Sequence, residues 1–494
     1  MTPDAVQPPS NARWDRSFFG HPRGLSTLFF TEMWERFSYY GMRAILILFM
    51  TAGVEHGGLG FPTSKAGSIY GLYTAMVFLM SMPGGWIADR ILGPRRAVFL
   101  GGIIIAAGHF SMAIPTLGSF YLGLGLIVIG TGLLKPNMST MVGGLYSLED
   151  ARRDAGFSIF YMGINLGAFL SPLVCGYLGE NINWHYGFSA AGVGMTLGLI
   201  QYAFGAKYLG SAGLAVQGTA ADRRLFGIVL GGLAILALAV TAAQYAGLFA
   251  ITAEGLAGAF GAILTVSVVI FFAWLLTAKG YTTAERKRFW AILVLFITSS
   301  AFWGAYEQAG STLNLFAERN TNLHAWDFPL WGLFRASYFQ SFNSIMILAL
   351  APVFAWLWVA LGTKNPSIPA KFVFGLVGVG AGFAILIPVA SSTNASPWWL
   401  TVTYFLHTCG ELCLSPVGLS ATTKLAPARV AGLMMGVWFL SDSVGNYVGG
   451  MLASVYETFP LPQLFGWVAV FAGLFGLLLL VILKPMKNLM GGVN

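Results

Sequence analysis

Residues 24–52 read GLSTLFFTEMWERFSYYGMRAILILFMTA, a run long enough to cross a bilayer as one helix. About 20 helical residues span the hydrocarbon core, and this run places Glu32, Glu35, Arg36 and Arg43 within such a length. A charged side chain at mid-membrane costs roughly 2.5 to 3.5 kcal/mol on insertion scales. These charges therefore need partners or a water-filled cavity, which indicates a functional helix.

The whole chain has the composition of a protein with many membrane spans. Of its 494 residues, 56% are hydrophobic and 9% are charged, whereas about 25% are charged in an average soluble domain. This composition argues against soluble enzymes and nucleic-acid-binding proteins. The three cysteines lie in apolar stretches without metal-ligand spacing, so we expect neither a disulfide framework nor a zinc site.

Apolar windows of membrane-spanning length fall into groups of six, two and six. They lie near 24–52, 65–88, 96–114, 119–144, 155–178 and 186–208, then 225–248 and 252–277, then 288–316, 334–361, 371–391, 398–423, 428–454 and 463–483. We predict an all-α membrane protein with 14 transmembrane helices. Two halves of six helices suit a transporter that rocks one half against the other around a central site.

The predicted domains follow from this grouping. They are an N-terminal tail (1–23), a six-helix bundle (24–210), a linker with two extra helices (211–284), a second six-helix bundle (285–484) and a C-terminal tail (485–494). With the N-terminus inside the cell, 21 of the 27 Lys and Arg fall on the inner side and three in outer loops. Basic residues favour the cytoplasmic side, so we predict a multi-pass inner-membrane protein with both tails in the cytoplasm.

The intramembrane charges differ between the two predicted halves. The first half contains Glu32, Glu35, Arg36, Arg43 and Lys135, and the second contains Glu307 and Glu411. The net charges are +1 and −2, so a cavity between the halves suits a zwitterion with its ammonium group toward Glu411. One surplus negative charge remains, which makes proton coupling plausible. The alternative is that these ion pairs only fix helix packing.

Several stretches resemble one family. Glu32 to Gly41 reads EMWERFSYYG, which resembles the ExxERFxYYG signature of the proton-coupled oligopeptide transporter family in the major facilitator superfamily. Further resemblances are GTGLLKPN from Gly130, FSIFYMGINLG from Phe157, FWGAYEQ from Phe302, FQSFN from Phe339 and GELCLSPVGLSATTKLAP from Gly410. The resemblance covers most core helices in the expected order. It implies a major facilitator fold, with two six-helix bundles and two extra linker helices.

The resemblance also implies proton-coupling and gating roles. The implied proton-coupling residues are Glu32, Glu35, Arg36 and Glu307, with Lys135 pairing to a carboxylate of the first helix. The implied gating salt bridges are Arg43 with Glu307 on the outer side and Lys135 with Glu411 on the inner side. Protonation of Glu307 would release the outer bridge.

The implied substrate site holds both ends of a peptide. Arg43 and Lys135 would bind its C-terminus, and Glu411, Asn165 and Asn343 would bind its N-terminus. Residues that would line side-chain pockets are Tyr39, Tyr40, Trp303, Trp438 and Ser415. For the two tryptophans, aromatic packing or a place in an interfacial belt is the alternative.

Two positions depart from the family pattern on the second helix. A histidine important for proton coupling in animal relatives aligns with Gly71, and a common tyrosine aligns with Phe78. Proton coupling would therefore rest on the carboxylates.

These observations predict a proton-coupled symporter that imports di- and tripeptides by alternating access, as a monomer in a lipid bilayer and with protons as the coupling ion in place of any cofactor. The alternative is the same fold transporting another small solute such as nitrate. An intramembrane enzyme is disfavoured, since neither HExxH nor GxSxG is found.

Overall fold

The computed structural model describes residues 16–147, 149–214, 218–248, 250–327, 332–427 and 430–491. Parts of both predicted tails, residues 1–15 and 492–494, lie outside the described residues. Regular structure in these ranges is helical, and the extended contacts are two isolated bridges, Phe18 with His21 and Thr321 with Ala395. The all-α prediction is thereby confirmed.

The helices before the linker begin and end close to the predicted windows. They are α1 (Arg23–Thr51), α2 (Thr63–Leu79), α3 (Ser81–Ile87), α4 (Pro94–Met112), α5 (Leu117–Gly143), α6 (Arg153–Asn181) and α7 (Trp184–Gly205). The two extra helices are α8 (Ala220–Tyr245) and α9 (Ala253–Thr277). A π-helical turn, Ala88–Leu92, continues α2 and α3 into one candidate span, Thr63–Leu92.

The helices after the linker are α10 (Thr283–Tyr306), α11 (Thr312–Asn320), α12 (Gln340–Ala360), α13 (Ile368–Leu386), α14 (Pro397–Leu425), α15 (Ala431–Ser454), α16 (Leu461–Val481) and α17 (Leu483–Met490). Within the described ranges, nine helical segments are long and apolar enough to cross a membrane. The α1 helix falls outside that set because its charges exceed what an apolar span carries.

One predicted helix is broken. The window 288–316 predicts a continuous helix, but α10 ends at Tyr306, a single 3-10 turn follows at Glu307–Gly310, and α11 starts at Thr312. Gly310 lies against Arg43, and a Cβ added at Gly310 would lie 2.9 Å from the Arg43 Nε. The predicted window runs through this break and does not mark it.

The chain forms two compact units. Unit 1 comprises Met1–Tyr39, Leu79–Gly167 and Phe188–Leu256. Its core is built on α1, α5 and α7, where Leu28, Leu134, Met138 and Tyr202 are buried. The α8 helix, which also lies in unit 1, has no buried residue along its described length. An apolar helix of this kind suits contact with lipid.

Unit 2 comprises Tyr40–Phe78, Ala168–Gly187 and Ala257–Asn494. It therefore joins the predicted outer parts of α1, α2 and α6 to the helices from α9 onward. In this unit α9 packs on its neighbours through Phe272 on Phe296, with ring centroids 5.1 Å apart, and Phe260 on Tyr447, 5.8 Å apart. The predicted domain boundaries remain predictions, because these units are defined by packing and cut through α1 and α6.

Candidate functional site

The α1 helix carries a buried charge cluster in unit 1. The Arg36 Nε lies 2.8 Å from Glu32 Oε1 and 2.8 Å from Glu35 Oε2. Spacings of three and four residues bring side chains to one helix face, which explains why one guanidinium contacts the Glu32 carboxylate. Lys135 on α5 interacts electrostatically with Glu35. Two cations thus face two carboxylates, so the cluster is neutral when all four groups are ionised.

Two further predicted residues of unit 1 are buried. The Tyr39 ring lies 6.0 Å from the Arg36 guanidinium carbon. Asn165 on α6 donates from Nδ2 to the Tyr161 carbonyl at 3.0 Å, a bond within its own helix. Their predicted contacts with a peptide remain predictions.

A second ion pair is buried in unit 2. The Arg43 Nη2 donates to Glu307 Oε2, and the Arg43 Nε donates to the Tyr70 hydroxyl at 2.7 Å. The Tyr40 ring lies 5.8 Å from the Arg43 guanidinium carbon. The structure therefore brings together the two residues of the implied outer bridge, while their gating role remains a prediction. Tyr70 was not identified from the sequence, since a tyrosine inside an apolar helix gives no signal of its cross-helix partner.

Glu411 on α14 has a different environment. The Tyr306 hydroxyl donates to Glu411 Oε2 at 2.5 Å, and Asn343 Nδ2 donates to the same oxygen at 2.9 Å. Asn343 also donates to Thr408 Oγ1 at 3.1 Å. Among the described residues of unit 2, no basic side chain forms an ion pair with Glu411. The structure therefore unites Glu411 with Asn343, as implied, and adds Tyr306, which the sequence analysis did not single out.

The remaining candidates of unit 2 are two tryptophans and a serine. Trp303 contacts Phe302 and Tyr306, with ring centroids 5.2 Å apart in both pairs, and its indole N–H has no hydrogen-bond partner among the described atoms. Trp438 is buried and packs edge-on against Phe372, 6.5 Å between centroids. Ser415 follows Glu411 by one helical turn and is partly exposed. A role of these three in side-chain pockets remains a prediction.

Further polar contacts of unit 2 join the predicted outer ends of helices from both sides of the linker. The Thr63 hydroxyl and Arg319 Nη1 both donate to Glu457 Oε1, at 2.5 and 2.7 Å. At the end of α6, Ser337 donates to the Glu180 carboxylate. We call these contacts the outer clasps. They lie in the same unit as the Arg43 ion pair.

The candidate residues are thus distributed over both units. Those in unit 1 are Glu32, Glu35, Arg36, Tyr39, Lys135 and Asn165, and those in unit 2 are Tyr40, Arg43, Trp303, Glu307, Asn343, Glu411, Ser415 and Trp438. The implied pairing of Lys135 with Glu411 remains a prediction. Within the described part of the chain, no group of three or more His, Cys, Asp and Glu side chains is placed to hold a metal ion.

Comparison with known proteins assigns a context to this arrangement. A family model described as PTR2, POT family, matches residues 95–468. The chain is 43% identical over 484 residues to the uncharacterized transporter YclF of Bacillus subtilis, covering 97% of each chain. It is 38% identical to a di-/tripeptide transporter of Lactococcus lactis subsp. cremoris, covering 97% of this chain and 99% of that protein.

Solved structures agree with the sequence relatives. A peptide transporter POT crystallised with sulfate matches with a TM-score of 0.91 at 43% identity, covering 97% of this chain and 98% of that one. A POT family transporter in complex with 5-aminolevulinic acid matches with a TM-score of 0.89 at 36% identity, covering 96% and 98%. These matches confirm the predicted major facilitator type of fold.

Proposed function

Since the chain belongs to the POT family of transporters, we propose that it is a proton-coupled symporter that imports di- and tripeptides by alternating access. The observation that carries this proposal is the Glu411 group. Its carboxylate is held by the neutral donors Tyr306 and Asn343 and has no cation from the described part of unit 2. A partly buried carboxylate that receives no cation from its own unit favours a ligand that supplies one, and a peptide N-terminus does so.

The opposite end of the peptide requires a cation. Arg43 and Lys135 are the candidate groups, and a guanidinium binds a carboxylate through two parallel hydrogen bonds. Arg43 is engaged with Glu307 in this structure, so a peptide carboxylate would compete with Glu307 for it. The relative that binds 5-aminolevulinic acid supports a zwitterion site, because that ligand also carries an amino and a carboxyl group.

Protons would act on the buried carboxylates. A proton on Glu307 would neutralise the partner of Arg43 and weaken the outer ion pair, which also involves the Tyr70 hydroxyl. In the α1 cluster, a proton on Glu32 or Glu35 would leave an excess positive charge that has to be rebalanced. The membrane potential contributes roughly 2.3 kcal/mol per charge per 100 mV, enough to concentrate a peptide many-fold for each proton carried.

We further propose that the protein works as a monomer in the inner membrane, with both tails in the cytoplasm and without a cofactor other than protons. Alternating access requires that the outer clasps and the Arg43 ion pair break in each cycle. Because they join α1, α2 and α6 to elements after the linker, they are suited to close the outer side.

The test is uptake of labelled dialanine by purified protein in liposomes, with and without an inward proton gradient and an inside-negative potential. We expect accumulation above equilibrium that unlabelled di- and tripeptides compete and that free alanine and nitrate do not. Glu411→Gln should abolish this uptake. The matched control is Glu254→Gln, which changes an exposed carboxylate of α9 outside the outer clasps. Folded wild-type protein that takes up no dialanine would instead favour another small solute such as nitrate.

A further inference from the structure

Tyr306 is the last residue of α10, and three aromatic side chains pack against its ring. The ring stacks on Phe302 with centroids 5.4 Å apart and meets Trp303 at right angles at 5.2 Å. His407, one turn before Glu411 on α14, lies 6.1 Å from the same ring. With its ring packed in this way, Tyr306 donates its hydroxyl hydrogen to Glu411.

The two donors to Glu411 bind the same oxygen. Tyr306 and Asn343 both donate to Oε2, at 2.5 and 2.9 Å, and among the described residues no hydrogen bond reaches Oε1. Glu411 as a whole is partly exposed. One oxygen is therefore anchored by the protein and the other is available to a ligand. Hydrogen bonds from a hydroxyl to an ionised carboxylate are short and about twice as strong as those between neutral groups, so this anchor fixes the carboxylate plane firmly.

We infer that Tyr306 is a positioning residue that sets the preference of this transporter for ligands with a free amino terminus. By anchoring Oε2, its hydroxyl holds the carboxylate in the orientation that presents Oε1 to an ammonium group. An ammonium group can donate hydrogen bonds but cannot accept them. Oε1 is an acceptor that receives no hydrogen bond from the described residues. The inference rests on the proposed peptide transport and adds to it the origin of amino-group selectivity.

A second tyrosine of unit 2 offers a comparison. The hydroxyl of Tyr404, on α14 like Glu411, donates to the Ala309 backbone carbonyl at 3.3 Å. Tyr404 is buried, whereas Tyr306 is partly exposed. Tyr404→Phe therefore provides a control in which a phenolic hydroxyl is removed without touching the carboxylate.

The experiment compares two ligands that differ by one amino group. The dissociation constants of dialanine and of propionylalanine, its analogue without the amino group, are measured for the purified full-length protein. The dissociation constant of propionylalanine divided by that of dialanine reports amino-group recognition. This ratio does not change when part of the protein is unfolded. For Tyr306→Phe we expect the ratio to fall about tenfold or more, since a hydrogen bond to a charged group is worth roughly that factor. Tyr404→Phe should keep the wild-type ratio.

A double-mutant cycle shows whether the effect runs through the carboxylate. In a Glu411→Gln background, Tyr306→Phe should cause no further change of the ratio. An unchanged ratio in Tyr306→Phe, equal weakening of both ligands, or the same drop in both backgrounds would overturn the role given to Tyr306 while leaving peptide transport intact. Wild-type protein that does not bind dialanine at all would overturn the proposed function and this inference with it.

Discussion

The acidic residues of the candidate site have different partners, so neutralising each carboxylate should have a different effect on its surroundings. Glu32 and Glu35 both contact Arg36, whereas Glu307 contacts Arg43. Glu411 has neutral donors within the described part of unit 2. Breaking a buried ion pair leaves an uncompensated charge. Neutralising Glu307 should therefore remove the carboxylate partner of Arg43. Neutralising Glu411 removes the partner of no cation in the described part of its own unit.

This difference predicts the behaviour of Glu307→Gln. A glutamine cannot take up or release a proton, so we expect proton-driven accumulation of dialanine to be lost. Exchange of labelled for unlabelled dialanine, which needs no net proton movement, should continue at a comparable rate. The two assays are run on the same liposomes, with Glu254→Gln as the control. Retained accumulation in Glu307→Gln would remove Glu307 from the proton pathway.

At the residue scale, the sequence predicts those contacts that lie along one helix. The EMWERFSYYG spacing places Glu32 and Arg36 four residues apart on one face, and the structure has them in contact. The sequence does not identify Tyr70 and Tyr306, because their side-chain hydrogen bonds join different helices. The helical period fixes which residues share a face, but it contains no information on which residue of another helix lies opposite.

At the element scale, α2 and α15 approach each other so closely that their backbones touch. A Cβ added to Gly71 would lie 2.8 Å from the Cα of Gly450. Real Cβ atoms do not tolerate such a distance from backbone atoms. The position that aligns with the histidine of animal relatives therefore has no room for an imidazole in this arrangement, and this chain needs glycine there.

Gly71→Ala should consequently push α2 away from α15. Overpacking costs about 1 to 3 kcal/mol, which corresponds to a roughly 5- to 150-fold change in an equilibrium. A cysteine at the buried Ser68 of α2 serves as a reporter. We expect an impermeant maleimide added from outside to label it faster by a factor in that range. Gly227→Ala on α8 is the control, because a Cβ there meets no atom within 4 Å.

Labelling of Ser68→Cys at an unchanged rate in the Gly71→Ala protein would contradict the expected displacement of α2 from α15. A faster rate in the Gly227→Ala control as well would show that the change is not specific to the α2 contact.

The outer clasp at Glu457 should persist over the whole pH range in which a proton gradient drives transport. The hydrogen bond from Thr63, and then Arg319, lower the pKa of the Glu457 carboxyl below its usual 4.5. A lowered pKa means that the ionised contact is complete above the ordinary value and is lost only as the pH falls through the lowered one. The clasp should therefore be unaffected between about pH 5.5 and 8, well above the ordinary carboxyl range.

The corresponding measurement uses Glu457→Gln with the Ser68→Cys reporter. The Glu457 side chain is largely exposed, so we expect a modest effect, in the range of about 0.2 to 1 kcal/mol for an exposed pair. The ratio of labelling rates between Glu457→Gln and the parent should be the same at pH 6 and pH 8. A ratio that falls toward one at pH 6 would mean that Glu457 is already protonated there.

Most element boundaries follow from apolar length alone. The predicted window 119–144 corresponds to α5 (Leu117–Gly143), and 463–483 corresponds to α16 (Leu461–Val481). The break after Tyr306 does not follow from that length, because Thr283–Asn320 as a whole is still long and apolar enough to cross a membrane. At the break, a Cβ added to Gly310 would lie 2.9 Å from the Arg43 Nε, a tertiary contact that a linear pattern does not contain.

At the scale of the whole molecule, the positions of the basic residues predict which ends face the cytoplasm. Twenty-one of the 27 Lys and Arg fall on the predicted inner side. The short helix α17 carries Lys484 and Lys487 on an exposed face, with Met486 buried beneath it. The loop before α14 contains the exposed Asn394 and lies on the predicted outer side.

Cysteine labelling in intact cells checks this orientation, in a protein whose three native cysteines are replaced. Asn394→Cys should react with an impermeant maleimide added outside. Lys487→Cys should react only after the cells are opened. The reverse pattern would invert the predicted topology.

The apolar windows and the family motifs predict the kind of fold from the amino-acid sequence alone. The intramembrane charges and the same motifs predict the candidate site residues. The distribution of those residues over two compact units does not follow from the sequence, because α1 and α6 each contribute to both units. Tyr39 and Tyr40 are consecutive in the sequence and belong to different units. A composition or a motif describes the chain as a line, whereas units are defined by which segments pack together.

The break after α10 has a consequence for inhibitor design. The consecutive residues Tyr306 and Glu307 bind Glu411 and Arg43 respectively, so a single turn of backbone contacts both the carboxylate that we propose binds the amine and the Arg43 ion pair. A compound whose amine reaches Glu411 and whose bulk prevents this turn from moving would occupy the site without being carried. Potency and transportability of amine ligands should therefore be separable properties, the first set by Glu411 and the second by the freedom left to one turn.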